Sequence, residues 1–196
     1  MENRLPVLAG PRVLLREPRP EDAAHLFAYT SDPEVTRFLA FDSPRSVDES
    51  LRFIERVEAQ RHLDAEYVFT IADRLTNEPL GITGLRHLDP AMGTAQIGTW
   101  VRRASWGSGV NREAKHLLLE YAFGVLGLHR VEARIALDNE RSRNAMMKLG
   151  ARFEGTLRQS FRKNGLILDQ ALYAILAPEW QALRCRVDDP PAGPGN

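Results

Sequence analysis

The chain has 196 residues, a length that gives one ordinary domain with a real interior. Its 26 Lys and Arg balance 26 Asp and Glu, so no excess charge recommends nucleic acid or an anionic membrane as a partner. A single cysteine, Cys185, excludes an internal disulfide; no Cys/His spacing suits zinc, and no apolar run reaches the roughly 20 residues of a membrane span or forms a signal-peptide core, so a metal-free cytoplasmic protein is expected.

In chain order, residues 13–17 read as a strand, and Pro20-Glu21-Asp22 opens a helix with proline and acids in its first turn. Residues 46–63 form a second helix, because Val47, Leu51, Ile54 and Val57 recur at helical spacing. Strands follow at 67–72 and 79–88, joined by the turn residues Thr76-Asn77-Glu78, and then at 94–101. The chain next alternates: helix 110–126, strand 130–137, helix 139–149. It closes with strands 151–162 and 166–176 about a Lys163-Asn164-Gly165 turn, and a short helix from Pro178. This pattern predicts an α/β (α+β) fold, a mixed sheet with helices on both faces. One domain covers 1–187, and the proline- and glycine-rich stretch 188–196 is expected to be disordered.

The most informative segment is Trp106-Gly107-Ser108-Gly109-Val110-Asn111, set between a strand and a long helix. Such a junction offers free backbone N–H groups at the positive end of a helix dipole, a natural seat for a phosphate. Its spacing is neither that of a P-loop nor that of a Gly-x-Gly-x-x-Gly dinucleotide turn. It resembles the pyrophosphate loop of the GNAT acetyltransferases, Gln/Arg-x-x-Gly-x-Gly/Ala, with Trp106 and Asn111 departing from that pattern. The segments 126–133, 139–142 and 148–151, together with Glu154-Gly155, resemble the RimJ/RimL-type branch, which acetylates protein N-termini and related amines. The resemblance extends from Leu14-Leu15-Arg16 to Tyr173-Ala174-Ile175-Leu176.

That resemblance implies a mostly antiparallel seven-stranded sheet splayed between its fourth and fifth strands, and acetyl-CoA as cosubstrate. The splayed edge, Thr99-Trp100-Val101, would bond the pantetheine arm and supply an oxyanion donor. Gly98 is read either as a bulge or as a packing accommodation. Gly107, Ser108, Gly109 and Val110 would hold the pyrophosphate by main chain, with Trp106 packed beneath the loop. Asn111 would cap the helix or join in anion binding, and Arg102 and Arg103 are candidate phosphate partners.

Many relatives carry a tyrosine seven residues after the equivalent of Asn139 to protonate the departing thiolate; this chain has Met146 there. In the RimJ/RimL-type branch a serine takes that duty, which points to Ser142 as the catalytic residue and Asn139 as a pantetheine contact. Asn139 and Ser142 also read as an ordinary helix N-cap, and both uses can coexist. The glutamate that some relatives use as a base corresponds to Phe161. Glu66, His87, Asp89 and Asp169 remain as base candidates, with Asp169 read in preference as a partner of Arg158 or Arg162 across the hairpin. A peptide N-terminus, whose amine has a pKa near 8, needs less help in losing its proton than a lysine.

The acceptor is expected to meet residues 38–41 (Phe38, Leu39 and Phe41 among them), residues 83–86 and the last hairpin. Glu34, Asp42 and Asp48 are too sparse for the acidic groove of a polyamine or aminoglycoside acetylase. A small-molecule amine and a non-catalytic CoA-binding sensor stay open as alternatives. By analogy with the branch, a homodimer through the last strands is expected.

Overall fold

The computed structural model describes residues 4–188. Eight strands form one sheet: β1 (Leu8–Ala9), β2 (Val13–Arg16), β3 (Tyr67–Asp73), β4 (Pro79–Asp89), β5 (Thr94–Val101), β6 (Arg130–Ala136), β7 (Arg152–Lys163) and β8 (Leu166–Leu176). Their order is β1-β2-β3-β4-β5-β6-β8-β7. Every pairing is antiparallel except β5 with β6, which is parallel. The eighth strand relative to expectation is β1, two residues paired to β2 and too short to carry an alternating pattern.

Helices cover both faces. On one lie α1 (Ala23–Thr30), α2 (Pro33–Thr36) and α3 (Val47–His62); on the other lie α4 (Val110–Glu120), α5 (Glu140–Met147) and α6 (Ala177–Asp188). Strand alternation divides the interior accordingly. Val68, Ile82 and Trp100 pack with Leu26, Val35, Ile54 and Val57, whereas Phe69, Ile71, Ile97 and Val101 pack with Val110, Leu118, Met146 and Trp180. Leu118 and Leu119 are fully enclosed, and burying each such side chain contributes about 2 kcal/mol.

The helix expected over 110–126 changes hand-hold part-way, running as α4 to Glu120 and then as a π-helical turn, Tyr121–Val125. The entry to α1 is tied to the sheet by the buried Arg16–Asp22 pair, bidentate at 2.8 Å, with Thr70 Oγ1 donating to the same carboxylate at 2.9 Å. Burial pushes the Asp22 carboxyl up, but these bonds and the Arg19 N–H outweigh it and hold the group below the usual range. Of the tail expected at 188–196, Asp188 ends α6 and the rest lies outside the described residues.

Candidate active site

β5 and β6 pair only at Thr94–Arg130, Ala95–Val131 and Gln96–Glu132. Beyond Gln96 the two strands part, and the sheet opens into a V. A strand residue's N–H and C=O leave on the same side, alternating along the chain. Gly98 O receives Thr83 Oγ1, and Arg102 N–H donates to Leu80 O, so even-numbered residues here turn toward β4. Ile97, Thr99 and Val101 therefore aim their main chain into the V. Trp106 Nε1 already donates to Val101 O at 3.0 Å.

The strand leads through a 3-10 turn, Arg103–Ser105, into the glycine loop and α4. Gly107 and Gly109 take φ of +76° and +88°, conformations that cost an L side chain strain. The loop is braced from β2. Arg12 donates to Ser108 O at 2.7 Å and to Glu113 Oε2 at 3.0 Å, while Glu113 Oε1 accepts the N–H groups of Arg12 and Val13. Burial raises the Glu113 carboxyl, yet these donors prevail and leave it below its ordinary value. The Trp106 indole carries the Arg141 guanidinium 3.4 Å from its ring centre.

Three connected hollows surround this junction. One follows the loop past Gly107, Gly109, Asn111, Arg112, Arg141 and Lys148. A second fills the V between Gly98, Thr99, Lys115, Asn139, Ser142 and Phe161. A third lies on the α1–α3 face, lined by Phe41, Glu49, Phe53, Arg86 and Trp100. Asn139 and Thr99 border both the loop hollow and the V, and Arg86 borders both the V and the third hollow. Among the described residues, the lining of the V includes Arg86, Lys115 and Arg134 but no carboxylate.

Residues 12–152 match the acetyltransferase (GNAT) domain family. Over 173 residues the chain is 31% identical to the uncharacterized N-acetyltransferase YoaA of Bacillus subtilis, spanning 88% of this chain and 98% of that one. The ribosomal-protein-serine acetyltransferase of Escherichia coli is 28% identical over 98 residues, which cover 50% of this chain and 55% of that one. The structure of the microcin C7 self-immunity acetyltransferase MccE, in complex with acetyl-CoA and AMP, shares the fold with a TM-score of 0.78 at 22% identity over 85% of this chain and 93% of that one. The chain is a GNAT acetyltransferase.

The GNAT frame puts the residues expected from sequence around one opening. Thr99 turns its main chain into the V. Trp100 turns its own toward β4, so its approach to the opening is through a buried indole whose Nε1 has no partner among the described residues. Trp106, Gly107, Ser108, Gly109 and Val110 form the loop and helix start, and Trp106 packs against the core beside the loop. Asn111 borders the loop hollow with Oδ1 buried and unpartnered, so it does not cap α4, whose N-cap is Gly109. Asn139 Oδ1 accepts the Ser142 N–H at 3.2 Å and caps α5, and Ser142 lines the V.

Other expectations are corrected. Arg102 is engaged by Glu78 and by Tyr29 Oη at 3.2 Å, and Arg103 lies 3.7 Å from Asp32; neither borders the loop hollow. The cations at the loop are instead Arg112, Arg141 and Lys148, whose positions on α4, on α5 and just after α5 carry no motif. Gly98 is no bulge: it pairs in register with Gly84, and a Cβ there would meet nothing within 4 Å. Asp169 accepts the Gln159 N–H at 2.8 Å, serving a bulge in β7 instead of pairing with an arginine. Glu66 is paired to Arg56 at 3.3 Å, Asp89 caps Met92, and His87 is exposed; none of these base candidates borders the V. Among the described residues no cluster could hold a metal ion, and no helix is long and apolar enough to cross a membrane.

Proposed function

We propose that this GNAT enzyme transfers the acetyl group of acetyl-CoA directly to a primary amine, with a peptide N-terminus as the preferred acceptor. The observation that carries the reading is the continuity of three features: open main-chain groups on β5, the N–H groups entering α4, and the cations Arg112, Arg141 and Lys148 beside them. Together they match an extended ligand with a diphosphate at one end and a hydrogen-bonding arm at the other.

In this reading Thr99 N–H receives the developing oxyanion and Asn139 holds the arm. The Ser142 hydroxyl donates a hydrogen bond to the departing sulfur. The acceptor arrives from the α1–α3 face through the Arg86 and Gly98 junction, where Phe41 and Phe53 favour an apolar side chain next to the amine. With no carboxylate in the V, the acceptor nitrogen loses its proton to solvent, which suits an α-amine with a pKa near 8 better than a lysine. The similarity to a ribosomal-protein-serine acetyltransferase supports the same acceptor class.

The test is to incubate the protein with acetyl-CoA and panels of peptides, polyamines and aminoglycosides while following free thiol. Release with short peptides bearing a free N-terminus is the expected result. Thermal stabilisation by acetyl-CoA without release for any amine would instead identify a sensor. Ser142→Ala should lower kcat about tenfold or more with CoA affinity little changed; equal loss in both would leave Ser142 as part of a helix cap only.

A further inference from the structure

Lys115 is a lysine among apolar residues. It sits on α4 between Ala114 and Leu118, both fully buried, and is itself 4% exposed. Its Nζ contacts Met146 Sδ at 3.5 Å, a weak acceptor, and among the described residues no carboxylate pairs with it. The V it borders receives Arg134 from β6 and Arg86 from β4 as its other titratable side chains. From β5 it receives Gln96 and Thr99, from α5 Asn139 and Ser142, from β7 Phe161 and from β8 Gln170. A buried ammonium without an anion is costly, and the described residues supply no counter-charge for it. The matching anion must come with the ligand.

Building on the acetyl-CoA reading, we propose that Lys115 is a catalytic residue whose ammonium faces the coenzyme A sulfur and protonates it as it leaves. The acceptor nitrogen attacks the thioester carbonyl, forming the C–N bond; the C–S bond breaks and its electron pair goes to sulfur. Lys115 Nζ gives its proton to that sulfur and is recharged by the proton the acceptor nitrogen sheds, through water in the opening. Ser142 orients the sulfur but, as an alcohol, is far too weak an acid to complete the transfer. Burial holds Lys115 at about 8, close to the thiol value of about 8.5, so the proton moves between nearly matched groups.

The decisive measurement needs no acceptor. Titrating bound coenzyme A by the ultraviolet absorbance of its thiolate should give a thiol pKa below that of free coenzyme A in the native protein. In Lys115→Met it should lie about one unit or more higher, a tenfold change in ionisation. In turnover, Lys115→Met should lose at least tenfold in kcat with KM for acetyl-CoA within about threefold. The native rate should fall above about pH 8 as Lys115 loses its proton, and Lys115→Met should lose that fall. Lys115→Arg separates charge from proton transfer: the bound thiol stays acidic while kcat stays low, and this variant carries the test if the methionine variant does not fold. A bound thiol pKa unchanged by Lys115→Met, or a Lys115→Arg enzyme with native kcat and pH profile, overturns the inference while leaving the acetyl-CoA reading intact. Failure of the native protein to bind coenzyme A overturns that reading instead.

Discussion

Lys115 shows how a single residue trades stability for chemistry. Its ordinary value is 10.5, and burial lowers it to about 8. Between those two values the unfolded chain binds a proton that the folded chain does not, so stability rises with pH across that window. Below about pH 8 the penalty is fully present, on the order of 3 kcal/mol. Ligand-free Lys115→Met is therefore expected to melt several degrees higher than the native protein at neutral pH, with the difference closing as pH approaches 10.5. Thermal melts at three or four pH values check the sign. A lower melting point at neutral pH would mean that Lys115 has a stabilising partner. Nothing in the sequence marked this residue, because a lysine beside Ala114 reads as the polar edge of an amphipathic helix. Ser142 and Trp106, by contrast, stood at positions relative to Asn139 and Gly109 that a motif could register. The loop cations Arg112, Arg141 and Lys148 are as unmarked in the sequence as Lys115: helix phase and loop direction, not spacing, bring them to the loop hollow.

At the scale of elements, the glycine loop is held by geometry that only two positions strictly require. Gly107 and Gly109 both have positive φ, costing roughly 1–2 kcal/mol for any residue with a Cβ. They differ in surroundings. A Cβ on Gly107 meets nothing within 4 Å, whereas one on Gly109 would lie 2.6 Å from an Arg12 guanidinium nitrogen. Gly107→Ala is thus expected to lower the melting point by a few degrees from strain alone. Gly109→Ala should also dislodge Arg12 from Ser108 O and disturb the first N–H groups of α4, weakening coenzyme A binding about tenfold. Calorimetric titration of both variants with coenzyme A makes the comparison; equal losses of affinity would remove the Arg12 brace from the account. The main elements were legible because their signals are long: strands of seven to twelve residues bounded by turn residues and a sixteen-residue helix. The two-residue β1, the four-residue α2 and the π-turn at Tyr121–Val125 are set by tertiary contacts, which local pattern does not encode.

The whole molecule divides its labour between the two sides of the sheet, and the splay between β5 and β6 is where they meet. α4 and α5 deliver the proposed phosphate seat, Lys115 and Ser142 from one side; the segment after α2 and the helix α3 shape the hollow proposed for the acceptor on the other. The last hairpin reaches across to that acceptor side. Lys163 at the end of β7 is nearly buried, donates to Phe41 O at 2.6 Å and pairs with Asp42 at 3.0 Å, pinning residues whose neighbours line both hollows. Its turn, Asn164-Gly165, has positive φ at both positions, the geometry of a tight two-residue hairpin that keeps Lys163 in register. Distance in sequence hid this contact, since it joins positions 121 residues apart. Because Lys163 touches the wall of the hollow proposed for the acceptor and borders neither the loop nor the V, Lys163→Met should raise KM for the peptide several-fold while leaving coenzyme A affinity and the bound thiol pKa at their native values. Steady-state kinetics with varied peptide, set beside a coenzyme A titration, checks it. If both substrates weaken together, the two sides are coupled through the sheet, and the hairpin then holds the splay open as well as the acceptor wall.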